Sequence, residues 1–364
     1  MPKVSICIPT YNGGKFIKRA LESSLNQTYQ DVEVVITDDG STDNTEEIVL
    51  SYAMQDSRIK YFKNNEQKNV LPNYLHAFSL AGGEYIQALG QDDWLSRDYI
   101  SECVKVLDTH PEAGAVFTTI LSVVAGNQDG TFVFTIKDTL TKEVYSAEEI
   151  AKTIYRSKVG TMSFTAMRRR QDVVLATQAM EDIFKHKKYG YIYRKGFSSD
   201  WVFALATLAN DKRAFFNNKA TYINLGHCES AGSNLGPNFK NKDGIYEHYN
   251  ALVASLCGIY QKRFPMQEEE MKIFLGVDLI VTVAFQWAKN KFLKIPISTP
   301  QHLFIGSVPL SRKEKTKIIL GVIPAFIKRV GNLFFKKILG ASNKTHYSAL
   351  YFLNQDGRFT TQLY

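Results

Sequence analysis

The 364-residue sequence lacks three features that would assign it to other classes of protein. Its four cysteines, at positions 7, 103, 228 and 257, form no CxxC pair, which argues against a zinc knuckle or a redox dithiol. No stretch of 18 uncharged apolar residues occurs, so we expect no membrane-spanning helix. No basic and apolar leader precedes the first apolar strand, at residues 4–8, so we expect a cytoplasmic protein without a secretory signal.

What the sequence does contain is the composition of a folded globular protein, with 45% hydrophobic and 22% charged residues. The net charge of +8, from 44 basic and 36 acidic residues, favours an anionic partner such as a nucleotide, a membrane surface or a nucleic acid. No nucleic-acid-binding motif accompanies this charge, so we expect no nucleic-acid partner.

The first 110 residues alternate apolar strands with amphipathic helices. Predicted strands cover residues 4–8, 32–36, 59–62 and 84–89, and predicted helices cover residues 15–26, 44–54 and 70–81. For the second helix, Thr42 or Asp43 is the expected N-cap. This alternation predicts an α/β fold in which a parallel sheet carries helices on both faces.

Polar residues follow three of these strands, at Thr10-Tyr11-Asn12, Asp38-Asp39 and Asp92-Asp93. Each stretch alone is compatible with an ordinary turn. In a parallel sheet, however, ligands bind at the carboxyl ends of the strands, where all three stretches would meet. Two adjacent carboxylates at the end of a buried strand are costly without a cation or hydrogen-bond donors. Together the three stretches predict a site for a divalent metal and a diphosphate.

Four motifs in this part of the chain resemble, in order and spacing, the motifs of the family 2 glycosyltransferases. They are Pro9-Thr10-Tyr11-Asn12, Asp38-Asp39-Gly40-Ser41-Thr42-Asp43, Ala81-Gly82-Gly83-Glu84-Tyr85-Ile86 and Gln91-Asp92-Asp93-Trp94. The resemblance implies the GT-A fold, with a mostly parallel nucleotide-binding sheet flanked by helices and, here, a helical C-terminal extension. It also implies inversion at the anomeric carbon, a nucleotide-diphosphate sugar donor, expected to be a UDP-sugar, and Mn²⁺ or Mg²⁺ as cofactor.

The same resemblance assigns roles to individual residues. Residues 9–11 would line the nucleobase pocket, and Asp39 would bind the base or the ribose. Asp92 would bind the metal, with Asp93 beside it. The full set assigned to substrate binding is Pro9, Thr10, Tyr11, Asp39, Asn73, Gln91, Asp92, Asp93 and Trp94.

Two positions depart from the pattern of the family. The first acid of its DxD signature falls on Gly90, which reduces the motif to Gly-Gln-Asp-Asp. The Ala-Arg-Asn that often precedes the fourth strand is replaced by Asn73-Tyr74-Leu75. Asn73 is therefore expected to reach the donor, but no arginine is present there for the diphosphate.

Inverting transfer needs one general base that takes the proton from the acceptor hydroxyl. Asp200 lies in the first turn of an apolar helix predicted from the Phe197–Leu205 segment, where the helix N-terminus favours the ionised carboxylate. The alternative is that Asp200 is only a residue of the N-cap region. The segment resembles the family's (E/D)-D-W, in which the Asp is the base, so we assign the base to Asp200. Glu181 and Asp182 are the weaker candidates.

Two further features have both a functional and a structural interpretation. The strand and Gly/Ser-rich loop at 222–234 are similar to the family's His-x-x-Ser-x-Ser loop, which implies that His227 contacts the metal or the diphosphate; a lone histidine is more often structural. The basic run Arg168-Arg169-Arg170 is suited to a diphosphate or an anionic acceptor, but a solvated charge run is the preferred interpretation.

The predicted organisation is a catalytic domain at 1–235, with a nucleotide-sugar half at 1–110 and an acceptor half at 111–235, followed by a helical region at 236–364. Strands are predicted at 113–117, 131–136 and 161–167, and helices at 242–263 and 267–292. Within the helical region, residues 311–340 combine basic and apolar residues at helical spacing. This segment suits a peripheral contact with the inner face of a membrane, and equally a hairpin docked on the protein or in a homo-oligomer interface.

We therefore predict a glycosyltransferase of surface-polysaccharide synthesis whose acceptor is a glycan or a lipid-linked glycan. The alternative is a non-catalytic paralogue that binds nucleotide or glycan, which Gly90 suggests and the presence of Asp92, Asp93 and Asp200 opposes. A dinucleotide enzyme is disfavoured because Asn12-Gly13-Gly14 lacks the GxGxxG spacing. A sugar nucleotidyltransferase is disfavoured because the Gly-rich loop with arginine is missing after the first strand.

Overall fold

The computed structural model describes residues 2–68, 70–125, 132–136, 140, 142–146, 149, 165–185, 212–226, 350–353 and 359–362. These residues belong to one compact unit formed by residues 1–233 and 346–364. The predicted domain boundary at 235 stays a prediction. The predicted helices at 242–263 and 267–292 and the basic segment at 311–340 lie outside the described residues.

The described elements follow one another in chain order. The strands are β1 Val4–Thr10, β2 Val32–Asp38, β3 Ile59–Lys63, β4 Tyr85–Ala88, β5 Trp94–Leu95, β6 Ala113–Ala125, β7 Phe132–Ile136, β8 Val144–Tyr145, β9 Met167–Arg169, β10 Arg213–Gly226, β11 Leu350–Leu353 and β12 Phe359–Gln362. The helices are α1 Ile17–Leu25, α2 Thr45–Ala53, α3 Val70–Leu80, α4 Tyr99–Thr109 and α5 Arg170–Lys185.

Ten of the described strands form one mixed sheet in the order β3-β2-β1-β4-β9-β6-β10-β5, with β7 beside β6 and β8 beside β10. The four strands of the first half, β3, β2, β1 and β4, are mutually parallel. β9 runs antiparallel to both β4 and β6, while β6 and β10 are parallel. β11 and β12 form a separate antiparallel pair. The predicted α/β fold with a mostly parallel sheet flanked by helices is confirmed.

Every residue of β1 and β2 is buried. Strands buried on both faces are continuous apolar runs rather than alternating ones, which is why their sequences predicted them well. The helix after β2 differs from the prediction in detail. Its N-cap is Asn44, without a side-chain capping bond, so the assignment of Thr42 or Asp43 as N-cap is wrong. Asp43 still accepts a hydrogen bond from the backbone N–H of Thr45, at 3.1 Å.

Later strands are longer or shorter than predicted. The strand predicted at 113–117 extends to Ala125, and the predicted hairpin strand at 131–136 pairs with it as β7. A strand was predicted at 161–167, whereas the described residues place β9 at Met167–Arg169. The strand predicted from residue 222 begins at Arg213 as β10.

The Gly82-Gly83 pair allows the chain entering β4 to lie against β1. A Cβ on Gly83 would lie 2.6 Å from the backbone nitrogen of Ser5 and 2.8 Å from the carbonyl carbon of Val4. A Cβ on Gly82 would lie 3.3 Å from the carboxylate of Glu33, which is the end of a side chain. Only the first collision involves the backbone of a buried central strand, which cannot move aside.

We expect Gly83→Ala to lower the free energy of unfolding by about 1–3 kcal/mol, as overpacking of a closed core does. Gly82→Ala is the matched control and should change it by less than about 1 kcal/mol, since alanine also restricts the unfolded chain. Urea denaturation of both variants measures the difference. Equal effects of the two substitutions would contradict the close approach of Gly83 to β1.

Candidate functional site

The carboxyl ends of β1, β2 and β4 lie side by side, as predicted. Thr10 at the end of β1 is in register with Asp38 at the end of β2, and Cys7 is in register with Ala88 at the end of β4. The β1–α1 loop, the β2–α2 loop and the β4–β5 segment therefore leave the sheet at one edge.

The first two loops are joined by Asn12. Its backbone N–H donates to the hydroxyl of Ser41 at 2.9 Å, and its side-chain oxygen accepts from the backbone N–H of Thr42 at 2.8 Å. Asn12 has a φ of 48°, in the left-handed region that non-glycine residues seldom occupy. Such a conformation persists only where surrounding contacts enforce it, and it is found more often at functional sites.

The two adjacent acids of the second loop have different surroundings. Asp38 is fully buried and accepts from the backbone N–H of Ser41 at 2.8 Å and from the hydroxyl of Tyr61 at 2.7 Å. Asp39 is also buried, and its Oδ1 accepts from the side chain of Asn64 at 3.0 Å and from the backbone N–H of Lys68 at 2.6 Å. The Asp38 carboxylate thus closes its own turn, and Asp39 is held in a fixed orientation at the edge of the sheet.

Asn73, predicted to reach the donor, lies beneath this edge. It is buried, and its side-chain nitrogen donates to the backbone carbonyls of Thr37 at 2.9 Å and Thr10 at 3.3 Å. Its side-chain oxygen accepts from Asn64 at 2.9 Å. Asn73 therefore ties together the ends of β1 and β2, and its contact with a donor stays a prediction.

The Gly90–Asp93 segment forms a tight turn, closed by the backbone N–H of Asp93, which donates to the carbonyl of Gly90 at 3.1 Å. Gln91 and Asp92 occupy its two central positions. A Cβ on Gly90 would lie 2.8 Å from Oδ2 of Asp93 and 2.9 Å from Oδ1 of Asp92. The two carboxylates thus fill the space in which an acid at position 90 would begin, which explains why glycine stands there.

Asp93 anchors this turn to β10. Its carboxylate accepts from the hydroxyl of Tyr222 at 2.8 Å, from the side chain of Asn224 at 3.0 Å and from the backbone N–H of Leu225 at 3.0 Å. Burial and the neighbouring charge of Asp92 raise the pKa of Asp93 to about 7, against the opposing effect of these hydrogen bonds. The hydroxyl of Tyr222 also accepts from the backbone N–H of Gly90 at 3.2 Å.

Tyr222 and Asn224 are the functional residues that sequence reasoning missed. They lie 129 and 131 positions after Asp93, and no local signal connects them with it. The only available signal was that the strand at 222 leads into the loop that carries His227.

The residues of the turn are suited to a divalent cation. Asp92 is half-buried, next to the buried Asp93, so two like charges lie together at the edge of the sheet. A hard cation with oxygen ligands would relieve that repulsion, and Mg²⁺ or Mn²⁺ typically takes one or two carboxylates and completes its shell with phosphates and water. Among the described residues no group of three or more His, Cys, Asp or Glu side chains lies together. Within the described part of the chain, Asp92 is therefore the carboxylate that such a cation would meet.

The two aromatic residues assigned to the site differ in accessibility. The Tyr11 side chain is 44% exposed at the end of β1. Trp94 is buried, packs with Val123 and Ile223, and has the guanidinium of Arg19 4.5 Å from its ring centroid. Trp94 thus contributes to the core beneath the turn, whereas the ring of Tyr11 is accessible at the edge of the sheet. Pro9 and Thr10 are both buried.

The interpretation of Arg168-Arg169-Arg170 as a solvated charge run is wrong for its first two members. Arg168 is 2% exposed, donates to the carbonyl of Ala166 at 2.9 Å and lies over the ring of Phe117. Burial lowers the pKa of Arg168 to about 9, although nearby charges favour its protonation. Arg169 donates to backbone carbonyls at the end of α4, and Arg170 is exposed. The physical reason is that β9 lies between β4 and β6, inside the sheet.

Several predicted residues lie outside what the structure describes. Asp200 and His227 are not among the described residues, and of Glu181 and Asp182 only the backbone in α5 is described. Their predicted roles stay predictions. No helix in the described part of the chain has the length and apolar character needed to cross a membrane.

Part of the chain is similar to proteins of known class. The model of glycosyl transferase family 2 matches residues 5–174. Glycosyltransferase GlyG of Streptococcus pneumoniae is 31% identical over 164 residues, which are 45% of this chain and 52% of that protein. A GalNAc(5)-diNAcBac-PP-undecaprenol beta-1,3-glucosyltransferase of Campylobacter jejuni is 36% identical over 96 residues, 26% of this chain and 31% of that protein. The chain thus spans about half or less of these relatives.

The fold has a counterpart among solved structures. The crystal structure of residues 1–349 of TarS from S. aureus, in complex with UDP, superposes with a TM-score of 0.56 at 18% identity and covers 99% of this chain and 96% of that one. At this level of identity the likeness concerns the fold, which is that of the GT-A enzymes. The chain therefore has the GT-A fold, and its residues 5–174 match the model of glycosyl transferase family 2.

Proposed function

We propose that this protein is an inverting glycosyltransferase that moves a sugar from a UDP-sugar to a hydroxyl of a glycan or lipid-linked glycan. The observation that carries the proposal is the turn at Gly90–Asp93, which presents Asp92 at the same edge of the sheet as the exposed ring of Tyr11. A half-buried carboxylate and an accessible aromatic ring, held by rigid neighbouring loops, suit the diphosphate and the base of one nucleotide.

The names of the relatives support the choice of substrates. The TarS structure contains UDP, and the Campylobacter relative is a glucosyltransferase whose name specifies an undecaprenol-linked acceptor. Both are properties of those proteins. For this chain they make a uridine nucleotide the first donor to test and a lipid-linked glycan the first acceptor. By analogy with the lipid-linked acceptor named for the Campylobacter relative, the proposed role is in surface-polysaccharide synthesis.

In this proposal each nucleotide-binding residue contacts a different part of the donor. Tyr11 packs against the base, and Asp39, oriented by Asn64 and Lys68, binds the base or the ribose. Asp92, supported by Asp93, holds Mn²⁺ or Mg²⁺, with His227 as the second candidate ligand. The bound cation would stabilise the charge that develops on the leaving diphosphate.

The chemical step needs a base on the acceptor side of the sugar. Asp200 accepts the proton of the acceptor hydroxyl as that oxygen attacks the anomeric carbon, and the bond to the diphosphate breaks on the opposite face. A single base and one displacement invert the configuration at that carbon.

We expect Asp200→Asn to lower the rate of transfer by about 10²–10⁴-fold, the usual contribution of a general base, and to leave UDP affinity nearly unchanged. Single-turnover transfer and titration with UDP measure the two quantities. Asp182→Asn is the matched control. If Asp182→Asn removes transfer and Asp200→Asn does not, the base is Asp182.

The proposed function is tested by a thermal-shift screen of nucleotide sugars with and without Mn²⁺, followed by a transfer assay with the donor that stabilises the protein. The expected result is a shift with UDP and its sugars that increases with Mn²⁺. Metal-dependent binding without any turnover, in transfer or in slow hydrolysis, would favour a non-catalytic nucleotide-binding paralogue. No shift with any nucleotide would contradict both functions.

Three predictions about partners and location concern residues outside those described. Membrane contact or homo-oligomer formation through 311–340 stays a prediction, and so does a location at the inner face of the cell membrane.

A further inference from the structure

The Gln91 side chain links the β1–α1 loop to the turn that carries Asp92. Its Oε1 accepts from the hydroxyl of Thr10 at 2.5 Å and from the backbone N–H of Tyr11 at 3.0 Å. Its Nε2 donates to the backbone carbonyl of Tyr11 at 3.3 Å. The amide thus pairs with both backbone groups of Tyr11, much as a neighbouring strand would.

The contact between Gln91 and Tyr11 also restrains the Gly90–Asp93 turn. Gln91 and Asp92 are the two central residues of the turn, and Asp93 fixes its other side to β10. A turn held on both sides has little freedom, so the backbone of Asp92 has a defined place relative to the backbone of Tyr11. These are the residues proposed to meet opposite ends of one nucleotide diphosphate.

Gly13 provides the space that this contact requires. A Cβ on Gly13 would lie 2.4 Å from Oε1 of Gln91 and 2.6 Å from the hydroxyl of Thr10. Among the described glycines only Gly40 has a positive φ, so backbone conformation does not demand glycine at position 13. The reason for glycine there is the Gln91 amide. An alanine would displace a flexible side-chain end and break the link without altering the backbone of a strand.

We infer that Gln91 is a positioning residue that couples nucleotide binding at Tyr11 to metal binding at Asp92. The inference rests on the proposed function and deepens it. The amide is engaged with the β1–α1 loop, so Gln91 acts by holding the loop and the turn in register. Without the Gln91 contact, the nucleotide site at Tyr11 and the metal site at Asp92 are both still present. Binding of the nucleotide then no longer increases the affinity for the metal, and binding of the metal no longer increases the affinity for the nucleotide.

The test compares Gln91→Met and Gly13→Ala with the wild type and with the control Gln55→Met. Gln55 is exposed, and its side-chain amide donates to the carbonyl of Ser51. Loss of this amide should change neither the exchange rate at Tyr11 nor the affinity for UDP. Hydrogen exchange reports the amide of Tyr11, which Gln91 protects. Titration calorimetry reports UDP affinity with and without Mn²⁺, and the ratio of the two affinities measures the coupling.

In both variants we expect faster exchange at Tyr11 and a coupling ratio about tenfold smaller than in the wild type, the usual loss when a supporting contact of a metal site is removed. The double variant should lose no more than either single variant, because the two substitutions break the same contact. Thermal unfolding confirms that each variant is folded.

Two outcomes would overturn the inference, and they are distinguishable. Faster exchange at Tyr11 with an unchanged coupling ratio would make Gln91 a structural contact only, with the proposed function intact. A wild-type protein that binds no UDP in either condition would remove the proposed function itself and the coupling with it.

Discussion

Asp92→Asn is expected to lower kcat/KM for sugar transfer by about a thousandfold, which corresponds to the several kcal/mol that a bound cation contributes to such a transition state. The substitution keeps the size of the side chain and removes the charge that disfavours ionisation of Asp93. Transfer kinetics measure the loss of activity, and denaturant unfolding of the same preparation confirms that the variant is folded.

The matched control for this experiment is Asp98→Asn. Asp98 is an exposed acid that follows the same loop and makes no side-chain capping bond at the start of α4. It should retain wild-type transfer. Retention of activity within tenfold in Asp92→Asn would show that the cation, if one is used, is held elsewhere.

Asp93→Ala is expected to lower both activity and stability. The substitution leaves the hydroxyl of Tyr222, the amide of Asn224 and the backbone N–H of Leu225 without their acceptor. An orphaned donor costs about 1–3 kcal/mol where it is buried, as at Tyr222, and less at the half-buried Asn224 and Leu225. Removing a buried carboxylate offsets part of the sum, so we expect a loss of about 2–4 kcal/mol in the free energy of unfolding. Chemical denaturation measures this loss, and the rate of sugar transfer measures the effect of displacing the Gly90–Asp93 turn.

Tyr222→Phe measures what the Tyr222 hydroxyl contributes to the contact between Asp93 and β10. It removes one donor to the carboxylate and the acceptor of the Gly90 N–H, and leaves the other two hydrogen bonds in place. We expect a loss of about 1.5–3 kcal/mol, the value of a hydrogen bond to a charged group. If Asp93→Ala proves as stable as the wild type, Asp93 is not the anchor of the turn.

The two neighbouring carboxylates thus have opposite roles in this account. Asp93 has a structural role, since its oxygens accept three hydrogen bonds from β10. Asp92 is half-buried beside it, with a charge that a bound cation would neutralise. The burial of Asp93 and its three hydrogen bonds support the prediction that Asp92 is the acid that would meet the cation.

Local chemistry accounts for what the sequence predicted correctly. The four strands of the first half are apolar runs bounded by turn residues, and the structure places them within one or two residues of the prediction, because this signal depends on neighbouring positions alone. The meeting of their carboxyl ends followed from the handedness and direction of parallel connections. The identity of the family followed from motifs that stand in those loops.

The sequence failed where burial depends on distant partners. Arg168 stands in a basic run, which locally indicates solvent, yet the sheet closes around it. The motif positions of Asn73 and Trp94 predict contact with the donor, but they did not predict that Asn73 ties two strand ends together or that Trp94 packs in the core. Burial is set by the elements that pack on a residue, and a motif does not contain them.

The sequence by itself thus determined the α/β fold, the order of its strands and loops and the three polar stretches that share one edge. Only the tertiary structure decided which contacts the residues of those stretches make. It brought Tyr222 against Asp93 from 129 positions away and Gln91 against Thr10 from 81 positions away. Hydrogen bonds between residues so far apart leave no trace in local periodicity, because they form only once the sheet has assembled.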